Sequence, residues 1–139
     1  MVLVDSSVWI EAARRQGRIE VKAALRGLLR EFEATWCGPV KLEVLGGARR
    51  EERRALEFFF EVIPYQPTTD GAWDEAKALA WRLRDGGLTI PSNDVLIASL
   101  ALKWQCRVYA VDKHFDAMAK VLPGLFMYEP GYGGDYNPN

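Results

Sequence analysis

Two cysteines, a single histidine, no excess charge of either sign and no long apolar run: the 139-residue sequence is marked first by what it has little of. Each scarcity removes a class of function. Cys37 and Cys106 lie far apart and fit neither a zinc-ligand spacing nor the dense disulfide framework of a small secreted domain. Both are expected to be buried free thiols in a reducing compartment. The formal net charge is -1, from 18 basic and 19 acidic side chains, so no global positive field gathers nucleic acid. Any such contact must come from local patches. No stretch of about 18 uncharged apolar residues is present, which argues against a membrane span. The opening Met1-Val2-Leu3-Val4-Asp5 lacks the basic, apolar and small-residue regions of an export signal, and the expected location is the cytoplasm.

What is present suits an ordinary globular domain: 49% hydrophobic and 27% charged residues, at a length that fits one core. Val2-Leu3-Val4 has the pattern of a strand buried on both faces and ends at Asp5. Helical periodicity follows over Ser7 to Arg15 and Val21 to Phe32. Ala34 to Cys37 predicts a second strand, and the Gly38-Pro39 step leads into a helix from about Val40 to Ala48 that contains Glu43. A helix over Arg54 to Glu61 precedes a brief strand at Val62, Ile63 and Tyr65. Thr69 or Asp70 caps a long helix to about Arg84, and Ser92 or Asn93 starts another that runs from Asp94 to Trp104. Arg107 to Val111 is the clearest strand and ends at Asp112, ahead of a helix over Phe115 to Leu122 and a last strand at Leu125 to Tyr128. Strands alternating with helices predict a three-layer α/β fold, with a central, mainly parallel five-stranded sheet flanked by helices. The domain is expected to span 1–129, with 130–139 as a flexible or loosely docked tail.

In open α/β sheets, ligands sit beyond the carboxyl ends of the strands, and Asp5 and Asp112 both fall on that edge. Glu43 and Asp94 lie near the starts of helices that begin there. Singly, each acid has a plain structural explanation as a helix cap, a helix N-terminal charge or a solvated side chain. Jointly, four carboxylates in one pocket raise one another's pKa unless a cation neutralises them. Oxygen-only donors select Mg2+ or Mn2+, and such a site suits phosphodiester hydrolysis by metal-activated water. A phosphoacceptor receiver domain and an Asp-x-Asp phosphatase both fit poorly, because Asp5 is followed by Ser6 and Ser7.

Four segments in a fixed order resemble the PIN-domain ribonucleases, and especially their small VapC-type toxins. They are Val4-Asp5-Ser6-Ser7-Val8-Trp9-Ile10, Leu42-Glu43-Val44-Leu45-Gly46-Gly47, Asn93-Asp94-Val95-Leu96-Ile97-Ala98 and Val111-Asp112-Lys113-His114-Phe115. The resemblance implies Mg2+ or Mn2+-dependent cleavage of RNA to 5′-phosphate and 3′-hydroxyl ends, with Asp5, Glu43, Asp94 and Asp112 as the catalytic acids. It also implies metal binding by Asp5, Asp94, Asp112 and Asp116, with Ser7 supporting the first acid. A second copy of the chain and an antitoxin protein are the implied partners. Two alternatives stand beside the toxin: a non-catalytic binding module on the same fold and a housekeeping RNA-processing nuclease.

The fourth segment carries Lys113-His114 where a second acid often follows the first, which leaves open how many metal ions bind. Asp116 shares a face with Asp112 only if the helix already includes Asp112. Otherwise it is peripheral. His114 is expected to be an exposed bystander, with a phosphate contact or proton donor as the other reading. Arg14, Arg15, Arg49 and Arg50 are candidates for RNA-backbone contact, against the alternative of a solvated surface interleaved with glutamates. Phe58, Phe59 and Phe60 cannot all face one core, so at least one is expected to meet a partner chain.

Overall fold

The computed structural model describes residues 1–139. Its sheet has four parallel strands, β1 (Val2–Val4), β2 (Ala34–Cys37), β3 (Tyr65–Gln66) and β4 (Arg107–Tyr109), in the order β3-β2-β1-β4. Every residue of β1 and β2 is buried, because helices cover both faces of these central strands. The helices are α1 (Ser6–Ala13), α2 (Ile19–Arg30), α3 (Gly38–Val40), α4 (Arg53–Glu61), α5 (Asp70–Asp85), α6 (Ser92–Trp104) and α7 (Lys113–Val121). α1 packs on α2 and α5 on α6. Val95 through Ala101 are all buried, so α6 is an interior helix rather than an amphipathic one. Thr69 caps α5 by accepting the Ala72 N–H at 3.3 Å.

The chain builds outward from β1 through β2 to β3, then returns to place β4 on the other side of β1. That reversal puts the topological switch point between the carboxyl ends of β1 and β4, where such sheets open a crevice. Asp5 and Asp112 follow these two strands.

Four expectations shift on local grounds. The fifth strand shrinks to one parallel bridge between Val108 and Met127, flanked by bonds from Val108 N–H to Phe126 (2.9 Å) and from Tyr128 N–H to Val108 (2.7 Å). Pro123-Gly124 and Pro130 bracket that segment. β3 begins at Tyr65 rather than Val62, because the Ile63 N–H turns back to Phe60 and Pro64 has no N–H to offer. β4 ends at Tyr109, since the Val111 N–H donates to Ser7 Oγ instead of to a strand. The helix expected from Val40 to Ala48 is α3 followed by a π-helical turn over Lys41–Leu45 that carries Glu43.

Residues 130–139 lie against the domain. Gly134 sits over Ala23 and Ala24 of α2, the Asn137 carbonyl accepts from Arg107 at 2.9 Å, and the Tyr136 ring stacks with Tyr128. Among the three phenylalanines, Phe60 is buried between Trp9 and Trp36 while Phe58 is 74% exposed. Cys37 and Cys106 are buried free thiols, and burial pushes the Cys37 thiol up to about 12. No helix is long and apolar enough to cross a membrane.

Candidate functional site

Asp5 leaves β1 with extended backbone and caps α1. Its Oδ2 accepts the Ser7 N–H at 3.0 Å and the Ser7 hydroxyl at 2.6 Å. Ser7 Oγ in turn accepts the Val111 N–H at 3.1 Å, and the Asp5 N–H donates to Tyr109 at 2.9 Å. Ser7 thus ties the end of β1 to the end of β4 and holds the first carboxylate in one orientation. Asp5 is only 4% exposed. Burial raises its pKa above the usual carboxylate value, Asp112 adds repulsion, and the bonds from Ser7 and Ser6 oppose the shift.

The second centre of the site joins α6 to α7. Asp112 caps α7 by accepting the His114 N–H at 2.8 Å. The His114 Nδ1 lies 2.9 Å from Asp94 Oδ2 and 2.9 Å from Asp112 Oδ1. The ligand atoms of Asp94, Asp112 and His114 all fall within 4.8 Å of one another. Burial raises the Asp94 pKa, with repulsion from Asp5 and Asp112 in the same direction and His114 against it. His114 is raised in turn, chiefly by its bond to Asp94. The Asp112 charge thus acts on both Asp5 and Asp94, and the Asp5 charge on Asp94, which puts the three carboxylates in one electrostatic neighbourhood. Expected as a bystander, His114 instead bridges two of the acids.

Glu43 is exposed on the π-helical turn, and its Oε1 accepts from Asn93 Nδ2 at 2.9 Å. That bond links the second segment to the residue before Asp94. π-Helical turns recur at functional sites because they displace one side chain from helical register. Asp116 is exposed in the first turn of α7, outside the trio, because Asp112 caps the helix rather than belonging to it. Arg14 pairs with Glu11 at 3.6 Å and Arg49 with Glu52 at 2.6 Å, whereas Arg15 and Arg50 are exposed without an acidic partner. A groove of about 540 Å³ runs beside Glu43, lined mostly by apolar side chains including Trp9, Ile10, Leu56 and Phe59, with Arg14 at its rim.

Asn93 and His114 carry parts that sequence reasoning did not assign. The available signals were local: an amide directly before a helix-starting acid, and the chain's single histidine two residues after a helix cap.

The donor chemistry here, carboxylates that burial and proximity make costly to ionise beside one imidazole, fits a divalent cation. The family model described as "PIN domain" matches residues 2–121. VapC ribonuclease Mb1587 from Mycobacterium bovis and Ribonuclease VapC11 from Mycobacterium tuberculosis are each 34% identical over 126 residues, covering 87% of this chain and 93% of theirs. Among solved structures, FitAcB from Neisseria gonorrhoeae superposes with a TM-score of 0.73 at 18% identity, covering 93% of this chain and 97% of its own. VapBC2 from Rickettsia felis, bound to a DNA fragment from its promoter, gives 0.72 at 19% identity, covering 92% and 98%. The structural matches show the fold, and the family model with the curated relatives shows the lineage: this chain belongs to the PIN domain family.

Proposed function

We propose that this protein is a metal-dependent ribonuclease and the toxin of a VapBC-type toxin-antitoxin pair, hydrolysing RNA phosphodiester bonds in the cytoplasm. One observation carries the reading: Asp5, Asp94 and Asp112 come from three distant segments to the switch point of the sheet, where burial and mutual repulsion raise Asp5 and Asp94. Such an arrangement is costly without a cation and useful with one. The curated relatives named as VapC ribonucleases support RNA as the substrate. The superposed VapBC complex supports an antitoxin partner.

In this mechanism Asp5, Asp94 and Asp112 would hold Mg2+ or Mn2+, with Asp116 at the periphery. A divalent ion held there would supply an activated water and neutralise charge on the phosphate. Ser7 keeps the Asp5 carboxylate oriented, so that little reorganisation is needed when substrate arrives. Glu43, exposed and held by Asn93, the residue before Asp94, is the proposed acceptor for the proton of the attacking water. Arg15 and Arg50, free of acidic partners, bind the RNA backbone more strongly than Arg14 and Arg49, which must first leave their glutamates. Exposed Phe58, from the run of three phenylalanines, supplies contact area for a second copy of the chain.

Purified protein incubated with end-labelled RNA tests this directly. Cleavage with Mg2+ or Mn2+, arrest by EDTA, and products with 5′-phosphate and 3′-hydroxyl ends are expected; cleavage that persists in chelator contradicts it.

A further inference from the structure

His114 is the only histidine in the chain, and its ring sits where three lone-pair-bearing atoms meet. Nδ1 lies 2.9 Å from both Asp94 Oδ2 and Asp112 Oδ1. Such a trio repels itself unless a positive charge lies among the atoms, either a proton on Nδ1 or a metal cation. The spacing serves the cation as well as the proton: neighbouring ligands about 2.1 Å from an octahedral ion stand about 3 Å apart. Asp112 Oδ1 gives one lone pair to the His114 N–H at 2.8 Å and keeps another for a ligand bond. Asp112 caps α7 and His114 is its second residue, so the helix start itself brings the imidazole beside the carboxylate.

Resting on the reading of this cluster as a metal centre, we infer that His114 Nδ1 is a metal ligand. It completes with Asp94 and Asp112 a mixed nitrogen and oxygen site that favours Mn2+ over Mg2+. Imidazole suits first-row transition ions, whereas Mg2+ takes oxygen donors and keeps its waters. A neutral nitrogen also adds no negative charge to a pocket where three carboxylates already oppose one another. The Lys113-His114 pair in the fourth segment then changes the ion selectivity of the site while leaving its architecture intact.

The test uses the full chain with Mn2+ and Mg2+ as probes, reading affinity by competition titration and ligand type by electron spin echo envelope modulation. Wild type is expected to bind Mn2+ about tenfold or more tighter than Mg2+ and to show modulation from a directly bound nitrogen. His114→Ala and His114→Asp lose that modulation. His114→Asp, which replaces nitrogen by oxygen, narrows the preference to about threefold or less. The side chain is 42% exposed, so both variants are expected to fold, and circular dichroism checks that they do. Mn2+ binding that disappears in Asp94→Asn but shows no nitrogen modulation in wild type overturns the role of His114 and leaves the metal centre standing. Absence of Mn2+ binding to wild type overturns both.

Discussion

At the scale of single residues, protonation links the site to stability. Asp5, Asp94 and His114 all have pKa values raised by the fold, so the folded protein binds more protons than the unfolded chain between each pair of values. Stability therefore falls as pH rises through those windows. For the two carboxyls the fall begins at their ordinary value of 3.8 and ends at the raised folded values. For His114 it runs upward from 6.5 through its raised folded value. In metal-free buffer the Tm is expected to decline as pH rises from 6.5 through the raised His114 value, and His114→Ala to flatten that decline; a Tm that climbs over this range contradicts the assignment. Asp5 was legible in the sequence because a fully buried apolar strand stops beside it and fixes where the carboxylate stands, and Asp112 because it follows the strand Arg107–Tyr109 on the same edge. Asn93 and His114 were not, because their roles depend on contacts across 50 and 20 residues of chain. Periodicity carries no information about such meetings.

At the scale of elements, helices and central strands followed from pattern, and edges did not. β1 and β2 matched their expected bounds because burial on both faces gives an unbroken apolar run. β3, β4 and the last strand were misjudged where one competing hydrogen bond or one proline decides the end, as with Val111 donating to Ser7. The π-helical turn at Lys41–Leu45 was invisible for a similar reason: helical and π-helical turns share one composition. Two elements offer tests. Phe60 joins α4 to α1 through Trp9 and to the sheet through Trp36, at ring distances of 4.9 and 4.5 Å. Phe60→Ala is expected to cost about 3–5 kcal/mol in chemical denaturation, far more than Phe58→Ala, because only the former leaves a buried cavity. Gly134 has φ +87°, and a Cβ there would meet the Ala23 Cβ at 2.6 Å. Gly134→Ala is expected to lift the 130–139 segment from α2, seen as faster proteolytic trimming of the C-terminus with the domain intact.

At the scale of the whole molecule, a chain of net charge -1 must bind a polyanion through placement of charge rather than through total charge. Binding of single-stranded RNA to a catalytically inactive variant is expected to weaken with salt, by a log–log slope of about 0.7 per contacted phosphate. Substituting Arg15 and Arg50 together is expected to reduce that slope more than substituting Arg14 and Arg49, whose charges are already answered by Glu11 and Glu52. A parallel sheet was legible from the alternation of elements, but its strand order was not, and that order brings the ends of β1 and β4 side by side and makes one site of acids far apart in sequence. The most direct test of that claim is the single-turnover rate of RNA cleavage in saturating Mn2+ by wild type, Asp5→Asn and Asp94→Asn, each with unchanged circular dichroism. Either substitution is expected to reduce the rate by about 100-fold or more, and the double variant to lose little beyond that, because the acids act as one unit. Cleavage by either single variant at the wild-type rate contradicts the account.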